Sequence, residues 1–396
     1  MVLSIVGSLV GLVKVRSLHT NIDNYVFRLH YRWTTSFCYL ACALVAAADF
    51  IGQAIQCYDG SGNPVAKPIN TYCWIMSTFT INSSSTDGSH YSSQGSNYDG
   101  TGTFNPKVHT KTYHAYYQWV PFVLFFQGCL FYLPHLMWKA NEGKTADTLL
   151  QGLQYNSMDD DREQKRNNII RYLQSSWGRN GRYSAVFILC EALNLVNVIG
   201  QMFLLDSFFG GVFMTYGTKV LNFVVDDDVE GMHDPLITTF PRVTKCNFHK
   251  FGPSGTLELK DAACILPQNM LNEKVFIVMW FWFVILATIT SIQLVWRIVI
   301  AFSPVLRVRV LERRGKVTAT PKLEQAVRHL HLGDYFLLDI IGRNLDAYNF
   351  NEILLKSTNC DEGDLGHNTY HPFNEIDDDD PTALKRQMEN EDITAV

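Results

Sequence analysis

Four cysteines have the most chemistry to offer in this chain. Cys57 and Cys73 lie in one polar stretch and Cys246 and Cys264 in another, each flanked by long charge-poor apolar runs. A structural zinc site takes ligands at the close spacing of C-x-x-C pairs, and these spacings are far too wide for it. Oxidation remains. Disulfides persist only on the oxidising side of a membrane, so both stretches must face outward. Four cysteines allow three pairings, among which sequence alone does not choose. Cys38, Cys42, Cys129, Cys190 and Cys360 fall in apolar runs or inferred cytosolic pieces and are expected to be free thiols.

Other candidate chemistry is thin. His329, His331 and Asp334 are close in sequence, but on the expected cytosolic helix alternate residues point to different faces and no cysteine joins them. They read as surface histidines. No nucleophile elbow, phosphate loop or paired carboxylates with a pocket context occur. Neither enzyme activity, a cofactor nor a metal is expected. The net charge is -5, and no basic stripe with interleaved aromatics points to nucleic acid.

The elements that position the cysteines follow from hydropathy. Trp33 to Gly52, Ala115 to Trp138, Tyr183 to Leu205 and Val275 to Trp296 are almost free of charge. Each approaches or exceeds the roughly 20 residues a helix needs to cross about 30 Å of hydrocarbon. Trp119 and Trp138 bracket the second run, as interfacial tryptophans do. Met1 to Val13 is also apolar, but its basic residues, Lys14 and Arg16, follow it, the wrong charge order for a cleaved signal.

Orientation comes from a second, independent signal. Eight basic residues lie between Lys139 and Arg182, and Arg307, Arg309, Arg313, Arg314 and Lys316 follow the last apolar run. The two cysteine-bearing loops together hold nine basic residues against eleven acidic ones over a far greater length. Basic residues mark the cytosolic side, so both termini are expected inside.

The expected organisation is a cytosolic lead (1–32), a first span (33–52), a first outer loop (53–114) and a second span (115–138). A cytosolic loop (139–182), third span (183–206), second outer loop (207–274) and fourth span (275–301) follow. A cytosolic helical region (302–357) and an acidic, disordered tail (358–396) complete the chain, Asp377 to Asp380 being a run of like charge. The Ser, Gly, Asn and Tyr-rich stretch from Asn82 to Asn105 reads as a mobile insertion. Strands are expected around Leu236 to Cys246 and Thr256 to Leu259, and a helix around Arg162 to Gln174. The fold class is thus an all-α membrane protein: four transmembrane helices, disulfide-braced outer loops with minor β structure, and a helical cytosolic layer.

Tyr116-Tyr117-Gln118-Trp119-Val120-Pro121 opens the second span and resembles the innexin signature. Phe240-Pro241-Arg242-Val243-Thr244-Lys245-Cys246, Gly252-Pro253-Ser254-Gly255 and Asn272-Glu273-Lys274 extend the likeness, as do two cysteines per outer loop rather than the three of connexins. The resemblance runs from about Ile22 to Ile353. It implies a gap-junction channel subunit of the plasma membrane at cell–cell junctions. Rings of identical or related subunits, eight by analogy, would dock with an opposing ring on the neighbouring cell and pass ions and small solutes. It also implies disulfides between loops, Cys57 with Cys264 and Cys73 with Cys246; antiparallel strands would bring such nested pairs into register.

The same likeness suggests which residues meet the pore. Ser4, Gly7, Ser8 and Gly11 recur at helical spacing beside Val6, Leu9, Val10 and Val13. With Val2 and Leu3 they would line the pore mouth on a folded-in helix, or lie on the inner leaflet. Asp49, the lone carboxylate at the end of the first span, would form an acidic ring favouring cations, or sit solvated at the membrane edge or in a salt bridge to a neighbouring subunit. Glu191, Asn194, Asn197 and Gln201 fall within one third of the helical circumference and are expected to bond neighbouring helices rather than line water. Pro121 sits in a first turn, whereas Pro134 lies deeper and should bend its helix. Asn82-Ser83-Ser84 is a glycosylation sequon; a glycan there would hinder docking. An unpaired hemichannel of the pannexin kind, or a four-pass adhesion or scaffold protein, are the competing readings.

Overall fold

A computed structural model of the chain describes residues 20–58, 67–83, 109–150, 159–225, 235–252, 254–316 and 321–358, with a few isolated positions between them. The candidate pore residues Val2, Leu3, Ser4, Gly7, Ser8 and Gly11 lie outside the described residues. So do most of the stretch from Asn82 to Asn105, Cys360 and the acidic tail.

Four long apolar helices dominate: α1 (Thr35–Ile51), α2 (Val120–Glu142), α3 (Gly181–Phe208) and α4 (Pro267–Phe302). Among the described residues, α2, α3 and α4 are long and apolar enough to cross a membrane, yet only 39%, 33% and 39% of their most apolar stretches are buried inside the protein. The remaining face carries Phe122, Phe125, Phe126, Phe203, Ile285 and Ile292 outward. So much exposed apolar surface is untenable in water, whereas hydrocarbon is its natural solvent.

The first expected span is built differently. α1 holds 17 residues and continues a π-helix, Leu29–Thr34, and a short turn, Tyr25–Arg28. Asn24 caps that turn, its side chain accepting from the Phe27 N–H at 2.6 Å. Proline opens α4 and lies in the first turn of α2, where its missing N–H leaves nothing unsatisfied. Gly143 closes α2 at φ 64, a left-handed conformation that glycine adopts without strain. Pro134 sits buried inside α2.

At one end stands a five-stranded antiparallel sheet of β1 (Gln56–Tyr58), β2 (Thr78–Ser83), β3 (His109–His114), β4 (Val243–Phe251) and β5 (Leu257–Ile265), in the order β1-β5-β4-β2-β3. Both expected outer loops contribute. The strand expected from Leu236 starts later: Pro235–Thr239 is a helix, and β4 begins at Val243. Pro241 explains the split, because proline has no N–H for a ladder bond. β5 runs on through Cys264, beyond its expected end at Leu259.

At the other end, helices Asp159–Ser176, Pro304–Gly315, Pro321–His329, Leu332–Asn344 and Ala347–Ser357 form a layer. They share a core including Leu173, Leu311, Leu338, Ile341, Phe350 and Ile353. His329 and His331 do not share a helix as expected: the first ends one and the second caps the next, and both are exposed. Asp334 is buried and accepts from the Gly178 N–H at 2.9 Å and the Asn180 amide at 2.8 Å. It pins the layer to the start of α3.

That contact is unusually close. A Cβ on Gly333 would fall 2.3 Å from the Asn180 carbonyl carbon and 2.4 Å from its oxygen. The obstacle is backbone, which cannot rotate aside as a side chain can. Gly333→Ala is expected to cost about 1–3 kcal/mol by overpacking, read as a lower thermal midpoint of the purified protein.

Candidate functional site

The sheet is a covalent splice of two distant chain segments. Cys57 on β1 is bonded to Cys264 on β5, its register partner, and Cys73 to Cys246 on β4. The bonds join residues 207 and 173 positions apart. Strand register supplies the first bond only. Cys73 reaches β4 from a helix, Lys67–Ile75, that lies against the sheet. Both disulfides are buried with Ile55, Tyr117, Phe248 and Leu266. The sulfurs of Cys57, Cys73 and Cys264 lie within 4.8 Å of one another, but each is consumed in a disulfide and offers no thiolate to a metal. Cys38, Cys42, Cys129 and Cys190 are unpaired.

The sequence motifs converge beneath this sheet. Tyr116-Tyr117-Gln118 forms a 3-10 turn ahead of α2. The Tyr117 hydroxyl and the Gln118 amide both donate to the Trp74 carbonyl, next to Cys73. Tyr116 packs edge-on against Phe209 and Phe240, at centroid distances of 5.5 and 5.8 Å. Val120 is fully buried, while Trp119 is 60% exposed, as suits a ring at the membrane interface. On the other side Glu273, fully buried, accepts from Arg242 at 2.9 Å and from Lys274 at 2.7 Å. The Asn269 amide donates to the Pro241 carbonyl at 2.7 Å. The motifs thus fasten the sheet to the first turns of α2 and α4. Family resemblance had marked these residues without revealing that they touch.

Beyond the disulfides the β4–β5 hairpin projects into the open. Phe251, Leu257 and Leu259 near its tip are 75%, 58% and 60% exposed. Gly255 turns the chain at φ 78, a conformation suited to glycine. Asn82 stands opposite Thr110 in the β2–β3 pair; its side chain lies outside the described residues.

His114, at the end of β3, is buried with its ring 2.8 Å from the Thr80 hydroxyl. Burial lowers its pKa to about 4, so the folded sheet holds it neutral. The unfolded chain takes up a proton near pH 6.5, and a depressed histidine therefore contributes stability above that pH. This contribution falls away as pH drops from 6.5 toward 4. The melting temperature of wild type is expected to fall more between pH 7 and pH 5 than that of His114→Gln, measured on the purified protein.

Polar residues inside the helices are brought together in part. Glu191 is buried in a bidentate pair with Arg297 of α4 and also accepts from the Asn24 amide. The Gln201 amide donates to Asn197 at 3.3 Å. Asn194 is buried, and its Oδ1 has no hydrogen-bond partner among the described residues. The π-helix that leads into α1 is tied to α4 by His30 and Thr290 (2.8 Å) and by the Trp282 indole on Thr34 (2.8 Å). Asp49 accepts from Gln268, in the first turn of α4, at 3.0 Å. Sequence reasoning missed Asn24 and Arg297. The signal was available: Glu191 is a lone charge inside one apolar run and Arg297 stands at the end of another, and such charges pair.

Apolar helices with lipid-facing sides, crowned by a two-disulfide sheet, define a multi-pass membrane protein with a disulfide-braced cap at one end. The innexin family model matches residues 23–359. The chain is 40% identical over 357 residues to Innexin inx3 of Drosophila melanogaster, covering 89% of each. It is 38% identical over 372 residues to Innexin shaking-B of the same fly, covering 93% of this chain and 96% of that one. A locust relative, Innexin inx2 of Schistocerca americana, is 38% identical over 351 residues, with 88% and 95% covered. The chain belongs to the innexin family, whose members are subunits of invertebrate gap-junction channels in the plasma membrane.

Proposed function

We propose that the chain threads the bilayer four times, as α1 to α4, with both termini and the C-terminal helical layer in the cytosol. Identical or related subunits, eight by analogy, ring a central pore, and the sheets of two rings meet between cells to pass ions and small solutes. The observation that carries this reading is the sheet itself: both outer loops are locked into one body whose hairpin tip exposes Phe251, Leu257 and Leu259. Exposed apolar side chains at an aqueous end favour a protein partner. Asp49, at the outer end of α1, biases the pore toward cations. The seam of Glu191, Asn194, Asn197 and Gln201 serves helix packing.

Paired-cell recording tests the reading. Junctional current between two expressing cells is expected, and Asp49→Lys should shift its reversal potential under a salt gradient toward anions. Current in single cells alone would favour the hemichannel reading, and an unmoved reversal potential would reject the role of Asp49.

A further inference from the structure

A cavity of about 390 Å³ opens where the lead from Asn21 to Arg28, the far end of α4 and the C-terminal helical layer meet. Arg28, Arg297, Arg314 and Arg343 line it against two acids, Asp23 and Asp339. The ion pairs do not cancel. Arg297 is matched by Glu191, but Arg314 and Arg343 share the single carboxylate of Asp339. Among the described residues Arg28 reaches only the Asn21 amide oxygen and the Asp23 carbonyl. The Asp23 carboxylate accepts from the Tyr31 hydroxyl at 2.9 Å and faces His135. Arg343 Nε is a buried donor with no partner among the described residues. Guanidinium donors are in surplus here, and each can offer a fork of N–H groups.

The rim of the cavity touches the lipid-facing side. Trp296 is part of its wall and is 44% exposed. Next to it α4 presents Ile292, Val295, Val299 and Phe302 outward. An amphipathic tryptophan between an apolar face and a basic cavity marks the depth of lipid headgroups.

We propose that this cavity binds a phosphate-bearing anion, the headgroup of an inner-leaflet phospholipid whose acyl chains lie along α4. Arginine forks match phosphate oxygens two at a time, and basic pockets between helices on the cytoplasmic side hold anionic headgroups. A bound phosphate would tie the N-terminal lead to the helical layer through Arg28, Arg314 and Arg343. The leaflet rests on the topology proposed above; the anion site does not, and a binding assay reads it without channel activity.

The full-length protein in neutral detergent is titrated with short-chain phosphatidic acid, phosphatidylcholine of the same chain length, and glycerol phosphate, with binding read by native mass spectrometry. Phosphatidic acid is expected to bind more tightly than phosphatidylcholine by about tenfold, and Arg28→Gln combined with Arg314→Gln to weaken it by about tenfold. Arg28→Gln alone breaks no ion pair, which guards against misfolding, and should weaken binding by about threefold. Arg309→Gln removes the same charge from an exposed position on the helix of Arg314 and should leave binding unchanged. Lipid binding without glycerol phosphate binding assigns the site to the membrane, and equal binding of both assigns it to a soluble phosphate; either supports an anion site. Equal affinity for the two lipids, or equal loss in Arg309→Gln, overturns it.

Discussion

Cys73→Ser is expected to abolish junctional current and to remove most of the protein from the cell surface. Cys73 and Cys246 are both buried beside the Cys57–Cys264 disulfide, so the variant leaves a thiol and a hydroxyl in a core shaped around a bond. Losing a native disulfide from a small extracellular unit costs about 2–5 kcal/mol. Among the described residues the core that must absorb that loss has nine buried members, four of them the cysteines themselves. The effect should spread beyond the sheet, because Tyr117 and Gln118 grip the Trp74 carbonyl one residue along. Freeing the Lys67–Ile75 helix therefore loosens the entry to α2. Surface biotinylation and paired-cell conductance check this. Wild-type surface levels and conductance in Cys73→Ser would show that the cap needs one brace only.

The fastening of sheet to helices gives the family motifs a physical meaning. Tyr116 to Pro121, Phe240 to Arg242 and Asn272 to Lys274 are far apart in sequence but close under the sheet, where they set the angle between the cap and α2 and α4. In the proposed channel two such caps must meet face to face, so a small tilt at this joint becomes a larger displacement at the hairpin tip. Under that proposal rigidity here serves docking, while charge selectivity is assigned to Asp49.

Much of this was legible in the sequence, for identifiable reasons. The apolar runs later seen as α2, α3 and α4 announce themselves because a bilayer tolerates few charges across its thickness. The alternation of buried residues along β4, from Thr244 to Phe248, is a plain period-two signal. The π-helix at Leu29–Thr34 had no such signal, since a π-turn depends on tertiary contacts rather than propensity. Here His30 and Thr34 bond to Thr290 and Trp282 of α4. The nested disulfide pairing came from resemblance alone, and no pattern at Cys73 says that its bond leaves from a helix. Asp334 and the two nearby histidines show the reverse case. A cluster in sequence is divided by the end of one helix at His329 and the start of the next at Leu332, and its acid is consumed in holding Gly178 and Asn180.

Arg297→Met is expected to destabilise the protein far more than Glu191→Leu combined with Arg297→Met. Arg297 and Glu191 are both buried, in a bidentate pair that the Asn24 amide completes. The Arg297 guanidinium also lies 5.3 Å from the Phe187 ring and 5.6 Å from that of Phe336, adding cation–π attraction. Removing the cation alone strands a buried carboxylate, at a cost of about 3–5 kcal/mol. Replacing both partners by apolar groups removes the stranded charge, and such swaps are often close to neutral. The double variant should therefore recover most of the lost melting temperature, a non-additivity that a double-mutant cycle isolates. Thermal unfolding of the four purified proteins reads it. Additive losses would mean that the pair is not the unit of stability. The pair joins the lead at Asn24, α3 at Glu191, α4 at Arg297 and the helical layer at Phe336, so channel activity should track the same cycle: lost in Arg297→Met, and restored in the double variant if the joint needs packing rather than charge.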